Sequence, residues 1–194
     1  MQGQLVYIRP LAIGDSEALH ALRNRNRSFF EPFEPIRPAS YFTLEQQRAM
    51  IEWSIKAAGE DQSYVFGVFL QETAGLIGRI ELSGIARGPF QNANLGYFMD
   101  QAHNGRGYMS EAIALVLQYA FLVLRLHRIQ AGVMPRNFPS IRVLTKAGFR
   151  YEGLAKKYLQ INGIWEDHAL YAITVEDYTE RTAASNEVSD HKFS

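Results

Sequence analysis

Residues 94–110 read Asn-Leu-Gly-Tyr-Phe-Met-Asp-Gln-Ala-His-Asn-Gly-Arg-Gly-Tyr-Met-Ser and place Gly105–Arg106–Gly107 between a strand-like run and a long apolar run. Glycines directly before a helix allow a tight turn and leave the first helical N–H groups uncovered. Those N–H groups and the positive end of the helix dipole form an anion site, to which Arg106 adds a full charge. The stretch therefore predicts a site for a phosphate-bearing ligand, although a Gly-x-Gly pair is also compatible with a plain tight turn.

Two common phosphate-binding loops do not fit this stretch. A Walker-type loop needs Gly-x-x-x-x-Gly-Lys-Ser/Thr, and the sequence contains no such run. A dinucleotide fingerprint needs a third glycine and an acidic residue about 20 positions further on. Ser110 occupies the glycine slot, and the apolar helix that follows offers no suitable acid. We therefore expect a ligand that is neither a nucleoside triphosphate nor a dinucleotide.

The segments that follow define a family resemblance. A short strand at 128–134 leads into Asn137-x-x-Ser140, and that helical run ends at Ala147-Gly-Phe149. In this order the motifs resemble the GNAT N-acetyltransferases, which use acetyl-coenzyme A (acetyl-CoA). Glu152-Gly153 and Gly163-Ile-Trp-Glu-Asp-His168 resemble the RimJ/RimL branch, which acetylates ribosomal-protein N-termini. The resemblance extends over about residues 5–178.

The resemblance implies an α/β (α+β) fold with a mixed, mostly antiparallel sheet of about seven strands, helices on both faces and a splayed parallel strand pair. Hydrophobic periodicity predicts strands near residues 5–9, 63–70, 76–82, 94–100, 128–133, 151–159 and 166–174. Thr43 is expected to begin a helix with Met50, Trp53 and Ala57 on one face. We expect one domain, 1–178, followed by a polar, disordered tail at 179–194.

The family geometry implies where acetyl-CoA binds. Two parallel strands separate near Tyr97 and Val133, with Gly96 as the expected site of a bulge, and the amides of the pantetheine arm complete the ladder. The pyrophosphate then binds the glycine loop, in which Asn104 and Met109 depart from the usual family residues. The predicted cosubstrate-binding residues are Tyr97, Phe98, Met99, Asn104, Gly105, Arg106, Gly107, Tyr108, Met109, Ser110 and Asn137.

The catalytic groups are harder to assign. The family often places a tyrosine acid where this chain has Leu144, so Ser140 is the candidate proton donor to the departing thiolate; capping the helix start is its alternative role. The related branch suggests Glu152 as the base or the amine-orienting carboxylate, and a solvated strand-end charge is the alternative. Glu81, Asp167 and His168 are weaker candidates for the base.

The acceptor is expected to contact the Pro- and Phe-rich segment 28–38. Apolar contacts would come from Phe30 and Phe33, and attraction of a cation from Glu31 and Glu34. A rigid loop that packs its aromatic rings on the core is the alternative. The several arginines around this loop are also compatible with an acidic or RNA-rich surface such as a ribosome.

Composition limits the remaining choices. The 194 residues contain 20 Lys plus Arg and 20 Asp plus Glu, so no global charge favours nucleic acid or membrane as a partner. Cysteine is absent, which excludes a thiol nucleophile and a disulfide framework. We expect a cytoplasmic monomer or homodimer without a metal. Three functions remain: acetylation of a protein N-terminal amine, above all a ribosomal-protein alanine; acetylation of a small amine such as a polyamine or antibiotic; or a non-catalytic coenzyme A-binding module.

Overall fold

A single seven-stranded sheet organises the computed structural model, which describes residues 1–190 and the side chains of residues 1–183. The strand order is β1-β2-β3-β4-β5-β7-β6, and β4–β5 is the parallel pair. The strands are β1 (Val6–Pro10), β2 (Ser63–Leu70), β3 (Leu76–Ala86), β4 (Asn92–Met99), β5 (Arg128–Val133), β6 (Arg150–Ile161) and β7 (Ile164–Thr174). All seven predicted strands are therefore present, and the mixed α/β fold is confirmed.

Helices cover both faces of this sheet. They are α1 (Ser16–Arg25), the short α2 (Arg27–Phe30), α3 (Leu44–Gly59), α4 (Tyr108–Gln118), α5 (Phe138–Ala147) and α6 (Val175–Asp190). The larger core lies on the α4 and α5 face, where Ile113 and Leu144 pack with Leu95 of β4. On the other face, α1 and α3 form a smaller core against β2 through Leu22 and Ile51.

The parallel strands β4 and β5 pair only at their beginnings. Asn92, Ala93 and Asn94 lie opposite Arg128, Ile129 and Gln130, and beyond this point the two described strands no longer pair with each other. Each strand stays paired on its other side: β4 pairs with β3 up to Met99, and β5 pairs with β7 up to Val133. Backbone groups therefore face an opening between the two strands, as the family geometry predicts.

Two local predictions need correction. Gly96 is not a bulge: it lies opposite Glu81 in an uninterrupted ladder, and the irregularity falls between Ser83 and Ala86. Thr43 caps α3 as expected, but Trp53 is exposed, because the buried positions of that helix are Gln47, Ile51, Ser54 and Ala57.

The segment expected to be a disordered tail also differs from its prediction. It continues α6 as far as Asp190, and residues 191–194 lie outside the described part of the chain. No helix in the described residues is long and apolar enough to cross a membrane.

Candidate active site

The glycine loop has the geometry of an open cradle at the start of α4. Gly105 and Gly107 have φ angles of +77° and +84°, a left-handed conformation that non-glycine residues rarely adopt. Gly107 is the N-cap of α4. A Cβ atom built on either glycine would point into open space, with no described atom within 4 Å. The space that a side chain would fill is therefore free for a ligand.

The first turn of α4 offers its N–H groups to that space. Gly107 has no side chain with which to cap Tyr108, Met109 and Ser110, and Glu111 is the first residue whose N–H bonds back into the turn, at 3.1 Å from the Gly107 oxygen. Asn104 and Arg106 are exposed at the same edge. The side chain of Met109 is buried in the core, so only its backbone is available at this site. The arrangement suits a phosphate oxygen.

Contacts on both sides hold this loop in place. At its beginning, the buried Asp100 pairs with Arg25 at 2.7 Å, and Asn26 accepts the Gln101 N–H at 2.9 Å. Burial opposes ionisation of Asp100, but hydrogen bonds from Arg25, Asn26 and the Ala102 N–H leave its pKa lowered overall. Beyond the loop, Glu111 accepts three backbone N–H groups from residues 4–6, at 2.6–3.0 Å. The cradle is therefore preorganised.

Ser140 lies beside the splayed end of β4. Its hydroxyl is 2.5 Å from the hydroxyl of Tyr97, and its N–H donates to the Asn137 side chain at 3.2 Å. Asn137 is thus the cap of α5, and the alternative role of Ser140 as that cap is wrong. Leu144 is fully buried in the core. Ser140 on α5 accordingly offers a hydroxyl proton beside this opening.

Glu152 does not face the same opening, which corrects its prediction as the base. Its carboxylate accepts two hydrogen bonds from Arg128, one of them 2.9 Å long, and Arg128 begins β5 at the closed end of the parallel pair. These bonds lower the pKa of Glu152. The neighbouring ion pair of Arg150 with Asp177 at the start of α6 belongs to the same end of the sheet. Glu152 is therefore part of a structural ion-pair cluster.

The three weaker base candidates also have structural partners. Asp167 accepts the backbone N–H of Lys157 at 2.9 Å, at an irregular step of the β6–β7 ladder. His168 is buried, with Nδ1 3.1 Å from the Glu166 carbonyl oxygen. Glu81 is held by Arg79 at 2.7 Å and by Ser63 at 3.0 Å, but it also lies directly opposite Gly96. Since no atom approaches a Cβ built on Gly96, Glu81 is the carboxylate with free space beside it near the opening.

The 28–38 segment lies on the α1 face of the sheet. Phe30 is buried and packs on Phe98 of β4, with ring centres 5.1 Å apart. Glu34 binds the guanidinium of the buried Arg23 through both oxygens, at 2.5 and 2.7 Å. This bidentate pair occupies Glu34, so the prediction that it attracts a substrate cation is not supported. Phe33 remains partly exposed.

An open pocket of about 200 Å³ lies beside this segment. Its walls include Arg27, Phe30, Glu31, Arg37 and, from the β6–β7 turn, Asn162. Arg27 stacks over Phe42 at 4.2 Å and Arg37 over Tyr41 at 4.7 Å, and neither forms an ion pair within described residues 1–183. Glu31 is exposed and likewise unpaired within that range. The pocket therefore presents two free positive charges and one free negative charge.

One polar group of this region was not foreseen from the sequence. Tyr97 was predicted to contribute backbone contacts or core packing, whereas its hydroxyl meets Ser140. The available signal was a tyrosine among the inward-facing residues of an apolar strand, because a buried phenol needs a hydrogen-bond partner. The partner lies 43 positions away, which no local pattern identifies.

Comparison with known proteins agrees with this geometry. A family model described as "Acetyltransferase (GNAT) domain" matches residues 6–150. The Bacillus subtilis protein "Probable N-acetyltransferase YjcK" is 49% identical over 177 residues, which are 91% of this chain and 98% of that protein. The ribosomal protein uS5-alanine N-acetyltransferase of Escherichia coli is 36% identical over 154 residues, 79% of each chain. The structure of Mycobacterium smegmatis RimJ in complex with CoA-disulfide superposes with a TM-score of 0.85 at 31% identity, covering 89% of this chain and 83% of that one.

The chain belongs to the GNAT acetyltransferase family. It is an N-acetyltransferase, and acetyl-CoA is its acetyl donor. The open glycine cradle and the unpaired edges of β4 and β5 fit the pyrophosphate and the pantetheine amides of that donor.

Proposed function

We propose that this N-acetyltransferase modifies the N-terminal α-amine of a protein in the cytoplasm, with a ribosomal-protein alanine as the first candidate. The observation on which this depends is the state of the carboxylates: Glu152 and Glu34 are each bound by an arginine. A site without a free strong base suits an amine that is easily deprotonated. The relatives with uS5-alanine activity support the same choice.

The cost of deprotonation separates the two kinds of protein amine. An α-amine has a pKa of ~7.7–8.0 and a lysine ~10.4. Deprotonation at pH 7 therefore costs about 1–1.4 kcal/mol for the first and about 4.6 kcal/mol for the second. Desolvation at the site lowers both costs, because burial disfavours the charged amine. The α-amine requires the smaller contribution from the protein.

Chain residues supply the rest of the reaction. The 105–110 backbone holds the pyrophosphate, Asn137 with β4 and β5 receives the pantetheine arm, and a β4 N–H stabilises the oxygen of the thioester carbonyl as charge develops. Ser140 offers a proton to the departing thiolate, whose conjugate acid resembles a thiol of pKa ~8.5. Glu81 lies beside the opening with its carboxylate held by Arg79 and Ser63, so its task is to orient the incoming amine and not to deprotonate it.

The pocket beside the 28–38 segment argues for a peptide over a polyamine. Glu31 attracts one ammonium group, while Arg27 and Arg37 repel further positive charge. A polyamine, with several ammonium groups, fits this balance poorly. A peptide that has one α-amine followed by neutral or acidic side chains fits it well.

The deciding experiment follows thiol release from acetyl-CoA across a panel of acceptors. The panel contains peptides that begin with alanine, spermidine, amino-sugar antibiotics and a control without acceptor. We expect the highest kcat/KM for an alanine peptide. Preferential turnover of a small amine would establish the second function, and coenzyme A binding without turnover of any acceptor would establish the binding module.

A further inference from the structure

The side chains of Tyr97 and Ser140 meet beside the opening between β4 and β5. Their hydroxyl oxygens are 2.5 Å apart, shorter than the usual 2.7–2.8 Å of O–H···O hydrogen bonds. The same phenol lies 3.2 Å from the Ser140 carbonyl oxygen. Two elements remote in sequence therefore join a phenol to the proposed proton donor.

We propose that Tyr97 is a positioning residue, whose phenolic O–H donates to Ser140 Oγ and thereby directs the Ser140 proton toward the departing sulfur. The proposal rests on the proposed function, in which Ser140 faces the thioester. It assigns to the Tyr97 side chain a task in the chemical step, beyond the contribution of its backbone to cosubstrate binding.

Hydrogen-bond geometry determines which way the serine proton points. A hydroxyl has one proton and two acceptor positions. When Tyr97 donates to Ser140 Oγ, the serine proton is free to point into the opening. When Tyr97 donates instead to the Ser140 carbonyl, the serine proton turns back to the phenolic oxygen. The 2.5 Å contact between the hydroxyls is made in both arrangements, and the contact with the carbonyl oxygen is the longer one, at 3.2 Å; the proposal assigns the Tyr97 proton to Ser140 Oγ.

The protonation state of Tyr97 agrees with a donor role. Burial raises the pKa of its phenol to about 12, an effect that the hydrogen bond with Ser140 only partly offsets. The phenol therefore stays protonated over the pH range in which acetyl transfer is measured. A neutral donor also avoids placing a phenolate beside a developing thiolate.

The atoms of the step balance without a further reactant. The amine lone pair forms the new C–N bond, and the C–S bonding pair leaves with the sulfur. The sulfur takes the Ser140 proton, while Tyr97 keeps its own proton and stabilises the serine oxygen by its hydrogen bond. The proton lost from the amine nitrogen restores the serine hydroxyl through solvent at the opening.

A double-mutant cycle tests this coupling with Tyr97→Phe, Ser140→Ala and the combination of both. Phenylalanine keeps the ring in the core and removes one hydroxyl. We expect Tyr97→Phe to lower kcat by about 5- to 10-fold, the loss of roughly one hydrogen bond, with little change in the KM for acetyl-CoA. The double variant should have the kcat of Ser140→Ala alone, because Tyr97 acts only through the serine.

Tyr64→Phe is the matched control. Tyr64 is a partly buried tyrosine whose phenol also has a pKa raised to about 12 by burial and a hydrogen bond to Asp61, at 2.8 Å, but it lies on β2. Its kcat should equal that of the wild type, and melting temperatures and calorimetric acetyl-CoA affinities verify that each variant is folded. An unchanged kcat in Tyr97→Phe would overturn the inference. So would a reduction of kcat by the same factor in the presence and in the absence of the Ser140 hydroxyl. A wild type that binds acetyl-CoA but turns over no acceptor overturns the proposed function and this inference together.

Discussion

At the level of single residues, Ser140→Ala and Asn137→Ala should have different effects, the first on catalysis and the second on the stability of α5. Asn137 accepts the N–H of Ser140 and caps α5, while the Ser140 hydroxyl contacts Tyr97. Ser140→Ala should therefore lower kcat about 10²–10⁴-fold, the usual range for an acid–base group, with only a small change in melting temperature, because the Tyr97 phenol keeps the Ser140 carbonyl oxygen as a partner at 3.2 Å. Asn137→Ala should cost about 1 kcal/mol of stability through the lost cap. Steady-state kinetics and thermal unfolding of both variants check this, and a normal kcat in Ser140→Ala would contradict it.

Glu152 is expected to matter for stability and not for turnover. Its folded-state pKa is lowered by Arg128, so the pair stabilises the fold above the ordinary glutamate pKa of about 4.3, and this contribution disappears as the pH falls through the lowered pKa. Glu152→Gln should thus lose about 0.2–1 kcal/mol at pH 7, with the difference from wild type shrinking below about pH 4. Denaturant unfolding at several pH values measures it. A kcat defect that grows as the pH is lowered from 8 to 6 would restore the base role.

Sequence patterns locate individual residues but not their distant partners. The glycines at 105 and 107 were placed correctly before a helix, because turn and cap preferences are local. The partner of Glu152 is Arg128, 24 positions away, and that pairing depends on two strands meeting through β7. A carboxylate in a family-like motif was therefore assigned a catalytic role without regard to the arginine that binds it from another strand.

At the level of elements, the decisive feature is the loop between β4 and α4. We expect Gly107→Ala to abolish detectable acetyl-CoA binding, since a Cβ would enter the cradle and a φ of +84° is unfavourable for alanine. Gly88→Ala is the matched control: Gly88 has a φ of +68° and equally free space, but it precedes β4. Both variants should lose about 1–2 kcal/mol of stability through backbone strain. Calorimetric titration with coenzyme A should then show a loss of affinity only for Gly107→Ala. Equal affinities in the two variants would contradict the assignment of this loop to the pyrophosphate.

The positions of the strands and helices were predicted more completely than the side of each helix that faces the core. Alternation and turn residues identified all seven strands, and Thr43 identified the start of α3. The inward face of α3 was misassigned, because Gln47 and Ser54 are buried through hydrogen bonds to backbone carbonyls while Trp53 remains outside. Hydrophobicity alone does not register such polar contacts.

At the level of the whole molecule, the two faces of the sheet are proposed to have different tasks at the opening between β4 and β5. In the proposed function, the α4 and α5 side receives acetyl-CoA, and the α1 side, with the 28–38 segment and the β6–β7 turn, is left for the acceptor. These two acceptor-side segments are joined by the Asn162 N–H, which donates to the Glu34 carbonyl oxygen at 3.0 Å. Arg136 also bonds the Pro32 carbonyl oxygen at 3.3 Å. The pocket proposed for the acceptor is therefore assembled from parts of the chain far apart in sequence.

This arrangement predicts which amine is modified when one peptide offers two. We expect a peptide with a free alanine N-terminus and an internal lysine to be acetylated mainly at the α-amine at pH 7, because deprotonation of the α-amine costs about 3 kcal/mol less. Mass spectrometry locates the acetyl group. The preference should narrow as the pH approaches 10, where the lysine also becomes neutral.

Glu31→Gln should raise the KM for this peptide without changing that for acetyl-CoA, and Glu72→Gln, an exposed surface glutamate between β2 and β3, is the control. Modification mainly at lysine, or an unaltered peptide KM in Glu31→Gln, would contradict the proposed acceptor site.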